Sequence, residues 1–113
     1  MARTVLQIIA PQLLPIGAAA VYVVPTNRTT VISRISFTNV SATDRYVNLW
    51  LVPSGGVPDD SNQIVKELFV PADETISPID VEGQAIPAAT SIYANAEVIS
   101  AINIIGSGTE ITN

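Results

Sequence analysis

The chain has no cysteine and no histidine among its 113 residues, and only 13% of them are charged. Without cysteine there is no disulfide, no thiolate nucleophile and no thiolate metal site, and the redox compartment leaves no trace. Without histidine the commonest general base and the commonest metal ligand are both missing. Ser-His, Cys-His and zinc arrangements are therefore excluded. Aromatic residues are also few, at 5%, while apolar residues reach 48%. An ordinary globular chain carries about 25% charged residues. A single domain of this length hides roughly 65% of its unfolded surface, which makes a modest core. So apolar a chain has too little polar surface to cover itself, and part of its exterior is expected to lie against a partner.

The few charges are unevenly placed. Residues 1–58 hold Arg3, Arg28, Arg34 and Arg45 against Asp44, a balance of +3. Residues 59–113 hold Lys66 against Asp59, Asp60, Glu67, Asp73, Glu74, Asp80, Glu82, Glu97 and Glu110, a balance of -8, and the two sum to the net -5. Clustered Lys and Arg with interleaved aromatics, the footprint of a nucleic-acid binder, are absent, so no nucleic acid is expected as a partner. Opposite charge on the two halves suits contact between neighbouring copies, and solvated acidic loops are the plainer reading.

The N-terminal run "MARTVLQIIAPQLLPIGAAAVYVV" mimics a secretory signal, but Gln7, Pro11, Gln12 and Pro15 interrupt it and Arg3 is its only cation. The eight prolines divide every long apolar run, so no membrane-spanning helix and no membrane partner are expected.

Helix periodicity fails for the same reason, whereas short β-branched runs recur. They are "TVLQII" (4–9), "AAVYVV" (19–24), "TVISRISFTNV" (30–40), "RYVNLWLV" (45–52), "QIVKELFV" (63–70), "ETISPIDV" (74–81), "TSIYANA" (90–96), "VISAINIIG" (98–106) and "TEIT" (109–112). Turn residues separate them: "PTNR", "NVSATD", "PSGGVPDDSN", "PADE" and "GSG". About eight short antiparallel strands at this spacing read as an all-β sandwich over 18–113. The segment 1–17, broken by Pro11 and Pro15, cannot be a central strand and reads as an extended arm or an edge strand.

Three groups of residues invite a chemical reading. In "PSGGVPDDSN" a phosphate cradle would need a following helix and a lysine, but Pro58, Asp59 and Asp60 follow the glycines. The stretch reads as a turn. The pairs Asp73–Glu74 and Asp80–Glu82 lack the Asp-x-Asp-x-Asp-Gly pattern of a calcium loop, so no metal and no cofactor are expected. Asn27-Arg28-Thr29 and Asn39-Val40-Ser41 fit the glycosylation pattern but have no clear secretion signal upstream. The aromatics say more. Tyr46 and Trp50 alternate with Val47, Leu49 and Leu51, and Tyr93 alternates with Ile92 and Ala94, so both strand faces are partly apolar. With the arm residues Leu13, Leu14 and Ile16, these three aromatics are the expected interface anchors.

The span 20–112 resembles a family of small virion proteins of tailed bacteriophages. The resemblance rests on "ISFTN" (35–39), "VNLWLVPSGG" (47–56), "VPADET" (70–75) and the closing "INIIGSGTEIT" (102–112); the Pro-rich arm departs from the pattern. It implies a jelly-roll-like sandwich and a non-enzymatic role in the virion. The role so implied is a homotrimeric cement or decoration protein on the capsid exterior, made in the bacterial cytoplasm. Its partners would be copies of itself and the major capsid protein or another virion protein. A tail, neck or fibre-base component would use the same features. A sugar-binding sandwich that stacks Trp50 or Tyr46 on a ring is a further alternative, and a small glycosidase ranks last.

Overall fold

Strands form where β-branched residues run between prolines and turn residues, and in the computed structural model, which describes residues 2–112, there are nine. The first residue of the expected arm and the last of the expected sandwich lie outside the described residues. The strands are β1 (Arg3–Leu13), β2 (Ala19–Val23), β3 (Arg28–Asn39), β4 (Arg45–Val52), β5 (Gln63–Val70), β6 (Thr75–Ile76), β7 (Ala85–Ile86), β8 (Ser91–Ala96) and β9 (Ile102–Thr112). One sheet, A, has the order β1-β9-β3-β6, with β7 also paired to β3; the other, B, has the order β2-β8-β4-β5. All pairings are antiparallel. The chain passes between the sheets as a jelly roll does, which buries one face of each sheet without helices. The molecule measures 45 × 26 × 20 Å.

The core between the sheets holds Ile9, Ile32, Ile35, Phe37 and Ile104 from sheet A and Val47, Leu49, Ile92 and Ala94 from sheet B, all fully buried. Strict alternation does not describe how they get there. In β3 the buried set is Thr30 and Ile32, then Ile35, Phe37 and Asn39. A register shift between Ile32 and Arg34 inserts one residue, so Ile32 and Ile35 both face inward. Strict period 2 would put Val31, Ser33, Ile35 and Phe37 on one face, and that face is broken at the bulge.

Residues 3–13 are strand β1 at the edge of sheet A, paired with β9. A register shift between Ile9 and Gln12 brackets Pro11, so the residue without an N–H sits where the ladder is already interrupted.

Three expected strand limits differ from the structure. The stretch "GSG" (106–108) is no turn: β9 runs unbroken through it to Thr112. Gly106 and Gly108 serve close strand approach instead, since a Cβ on Gly108 would meet the Val31 carbonyl oxygen at 2.5 Å. Residues 98–100, expected as strand, form a bend and turn with Ser100 at φ 60°, and the Ser100 N–H donates to the Leu14 carbonyl (3.3 Å). Within 74–81 only Thr75–Ile76 pairs with β3, because Pro78 cannot donate to a ladder and leads into a short 3-10 turn at Ile79–Val81.

Candidate functional site

The structure shows the stretch "PSGGVPDDSN" as a turn. Residues 53–62 connect β4 to β5 as a closed loop in which Gly55 takes φ 79° and the Gly56 N–H donates to the Pro53 carbonyl (2.9 Å). The Asp59 carboxylate accepts from the Ser61 N–H (2.9 Å) and hydroxyl (2.5 Å). Those bonds hold its carboxyl below the usual range. Among the described residues no group of three or more potential ligands comes together that could hold a metal ion. No helix of the structure is long and apolar enough to cross a membrane.

One polar cluster lies partly inside the fold. The Tyr22 hydroxyl donates to Glu110 Oε2 (2.5 Å), which leaves Thr30 Oγ1, 2.9 Å away, as the donor to the tyrosine oxygen. Arg28 Nη1 stands 3.8 Å from Glu110 Oε1. Burial first, and the Glu110 carboxylate second, push the Tyr22 hydroxyl up to about 12, so it is no base at neutral pH. The cluster ties β2 of sheet B to β3 and β9 of sheet A. Its sign with pH follows from a folded value above the ordinary 10.0. The contribution to stability is complete below pH 10.0 and is lost as pH rises through about 12. In an alkaline titration followed by phenolate absorbance, a late phase is expected that Tyr22→Phe removes. A wild-type titration without that phase would contradict the arrangement.

The outer face of sheet B carries aromatic side chains that keep part of their surface exposed. Register places Trp50 opposite Tyr93 and Asn48 opposite Asn95 on β4 and β8, and Tyr46 opposite Phe69 on β4 and β5. The rings of Tyr46 and Phe69 lie 5.6 Å apart, tilted by 57°. Tyr46 is 41% and Phe69 46% exposed, while Trp50 and Tyr93 are half-buried. Between the two aromatic pairs runs a chain of amides. Gln63 Nε2 donates to Asn48 Oδ1 (3.0 Å), Asn48 Nδ2 to Asn95 Oδ1 (3.0 Å), and Asn95 Nδ2 to the Ile16 carbonyl (2.7 Å). Asn48 Oδ1 also accepts the Glu67 N–H (2.8 Å), which pins a bulge where Glu67 has φ 51°. The face is therefore rigid, and its amides are already satisfied within the chain.

The structure brings Tyr46, Trp50 and Tyr93 together on this face, with the exposed Ile16 at its border. Leu13 lies elsewhere, half-exposed opposite Asn103 on sheet A. Leu14, expected as a contact, is instead 1% exposed in the core, because its N–H bonds to the Ile102 carbonyl (2.8 Å) and carries the chain across the sandwich. Phe69 belongs to the face and is missed by alternation. The bulge at Lys66–Glu67 puts Val65, Leu68 and Val70 on the inner side and turns Phe69 outward.

Neither a family model nor a curated protein sequence matches the chain. A spore appendage chain has a similar fold. It comes from the Bacillus endospore appendages described as a novel family of disulfide-linked pili, and it matches with a TM-score of 0.57 at 12% identity. The alignment covers 99% of this chain and 91% of that one, so the likeness extends to the whole sandwich, β1 included. At that identity it establishes fold alone.

Proposed function

We propose that this chain is a non-enzymatic structural subunit, which acts by burying its exterior against copies of itself and against a larger assembly. The observation that carries the reading is the aromatic face of sheet B, where Tyr46, Trp50, Phe69 and Tyr93 share a rigid surface free of buried charge. Aromatic anchors on a preorganised face are what interfaces use, since little side-chain entropy is lost on contact. The finer reading is a homotrimeric cement protein on the exterior of a tailed-phage head, supported by the resemblance over residues 20–112. Binding only the assembled shell would stabilise it by mass action, and a trimer touching several capsid subunits at once would multiply weak contacts.

A second reading is favoured by the fold likeness: a subunit of a filamentous appendage. The chain has no cysteine, so copies in such a filament would be held by non-covalent contacts. Cryo-electron microscopy of particles assembled with the tagged chain separates the two. Density at capsid subunit junctions supports the cement role, and density repeating along a fibre supports the filament. Recovery of all the chain as free protein, with neither shell nor fibre bound, would overturn both.

A further inference from the structure

We infer that copies of this chain join head to tail, with the 53–62 loop of one copy seated in a groove on the outer face of sheet A of the next. The inference rests on the structural role proposed above and names the contact that would serve it. The groove holds about 290 Å³ and is lined by Val5, Ile105, Ser36, Ser107, Arg34 and the Leu6 position of β1. Val5 is 80% exposed although it lies on a paired strand. Arg34 projects from the middle of β3, is exposed, and has no ion-pair partner among the described residues, where Arg28–Glu110 is the one ion pair. A lone guanidinium beside an apolar cleft calls for a ligand with an apolar knob and a carboxylate a few residues away.

The chain itself carries such a segment. In the 53–62 loop Val57 is 66% exposed, and Asp59 and Asp60 follow it. The loop is held before any contact is made. Asn62 Nδ2 donates to the Val57 carbonyl (2.9 Å), the Asp59 N–H to Asn62 Oδ1 (3.1 Å), and the Ser61 N–H to Asp59. Asp59 is thus committed to closing the loop, while the exposed Asp60 carboxylate bonds to nothing among the described residues. Val57 would enter the cleft and Asp60 would meet Arg34. The uneven charge of the two halves then has a use, since the basic half supplies Arg34 and the acidic half supplies Asp60. Groove and loop are different surfaces, so the contact is heterologous: it closes into a ring if the rotation permits and otherwise extends into a fibre.

The test is a charge swap read by sedimentation velocity of the full chain. Arg34→Glu and Asp60→Arg are each expected to weaken self-association about tenfold or more, and the combined variant to recover to within about threefold of wild type. Val57→Ser is expected to weaken it without changing charge, and Asp80→Arg, beside the exposed Ile79, is expected to leave it unchanged. Single variants that associate like wild type, a combined variant that fails to recover, or rescue of Arg34→Glu by Asp80→Arg would overturn the inference while leaving a self-assembling subunit. A wild-type chain that stays monomeric to about 1 mM would remove the structural role as well.

Discussion

Replacing Gly108 by alanine is expected to destabilise the fold by about 2–4 kcal/mol, whereas the same change at Gly106 should cost about 1 kcal/mol or less. Both glycines face inward on β9, and neither has a positive φ, so the difference is one of space. At Gly108 the new Cβ would lie 2.5 Å from the Val31 carbonyl oxygen, and the backbone of a hydrogen-bonded neighbour strand cannot step aside. At Gly106 it would meet Ile9 Cδ1 at 3.0 Å and Ile35 Cγ1 at 3.3 Å, and side-chain atoms can give by a few tenths of an ångström. Urea unfolding of the two variants measures the gap. Equal losses, or a larger loss at Gly106, would contradict the close approach of β3 to β9.

The second large effect belongs to Asn39, the one fully buried side-chain amide among the described residues. Its Nδ2 donates to the Thr43 carbonyl (2.8 Å) and to the Val70 carbonyl (2.9 Å), and its Oδ1 accepts from the Ser41 N–H (2.9 Å) and hydroxyl (2.7 Å). The side chain thereby shapes the 40–44 crossover between the sheets and fastens it to the end of β5. Asn39→Asp replaces the donor by an acceptor that faces two carbonyl oxygens, in a place where a charge has no solvent. A loss of about 3–5 kcal/mol is expected at neutral pH. Asn39→Ala should lose about 2–3 kcal/mol, from missing bonds alone. The introduced carboxyl would have a raised folded value, so the penalty should shrink as pH falls and it gains a proton to donate. Thermal unfolding across pH decides it. A penalty that is the same at pH 4 and pH 7 would contradict this geometry. The same two bonds occupy the nitrogen that a glycan would need, so the Asn39-Val40-Ser41 pattern is no acceptor in the folded chain.

Much of the sandwich was legible because its grammar is local. Prolines at 25, 53, 71 and 87 fall just past a strand end, and β3 and β4 are rich in β-branched or large apolar residues. What failed was period 2 carried across bulges. Nothing in "TTVISRIS" announces that the ladder gains a residue near Ser33, and that one residue decides whether Ile32 is inside or out. The same event at Lys66–Glu67 hid Phe69 from the candidate face. The "GSG" of β9 misled for a different reason. Glycine marks both a tight turn and a close approach of backbones, and only the position of Val31 separates them. Alternation separates Tyr46 and Trp50 from Val47 and Leu49, and Tyr93 from Ile92 and Ala94, but that the three share one face follows from the pairing of β4 with β8, which is set by tertiary structure. Leu14 could not be placed, since the path of the chain after Pro11 is set by tertiary bonds to Ile102 and Ser100.

The central claim is that the exterior of this sandwich exists to be covered. Sedimentation equilibrium of the chain from about 1 μM to about 1 mM addresses it most directly. The expected result is a mass that rises to a multiple of 11.9 kDa, threefold for a cement trimer, and that rises to a smaller multiple at the same concentrations when Tyr46→Arg and Phe69→Arg are combined. A wild-type mass of 11.9 kDa at every concentration would contradict it.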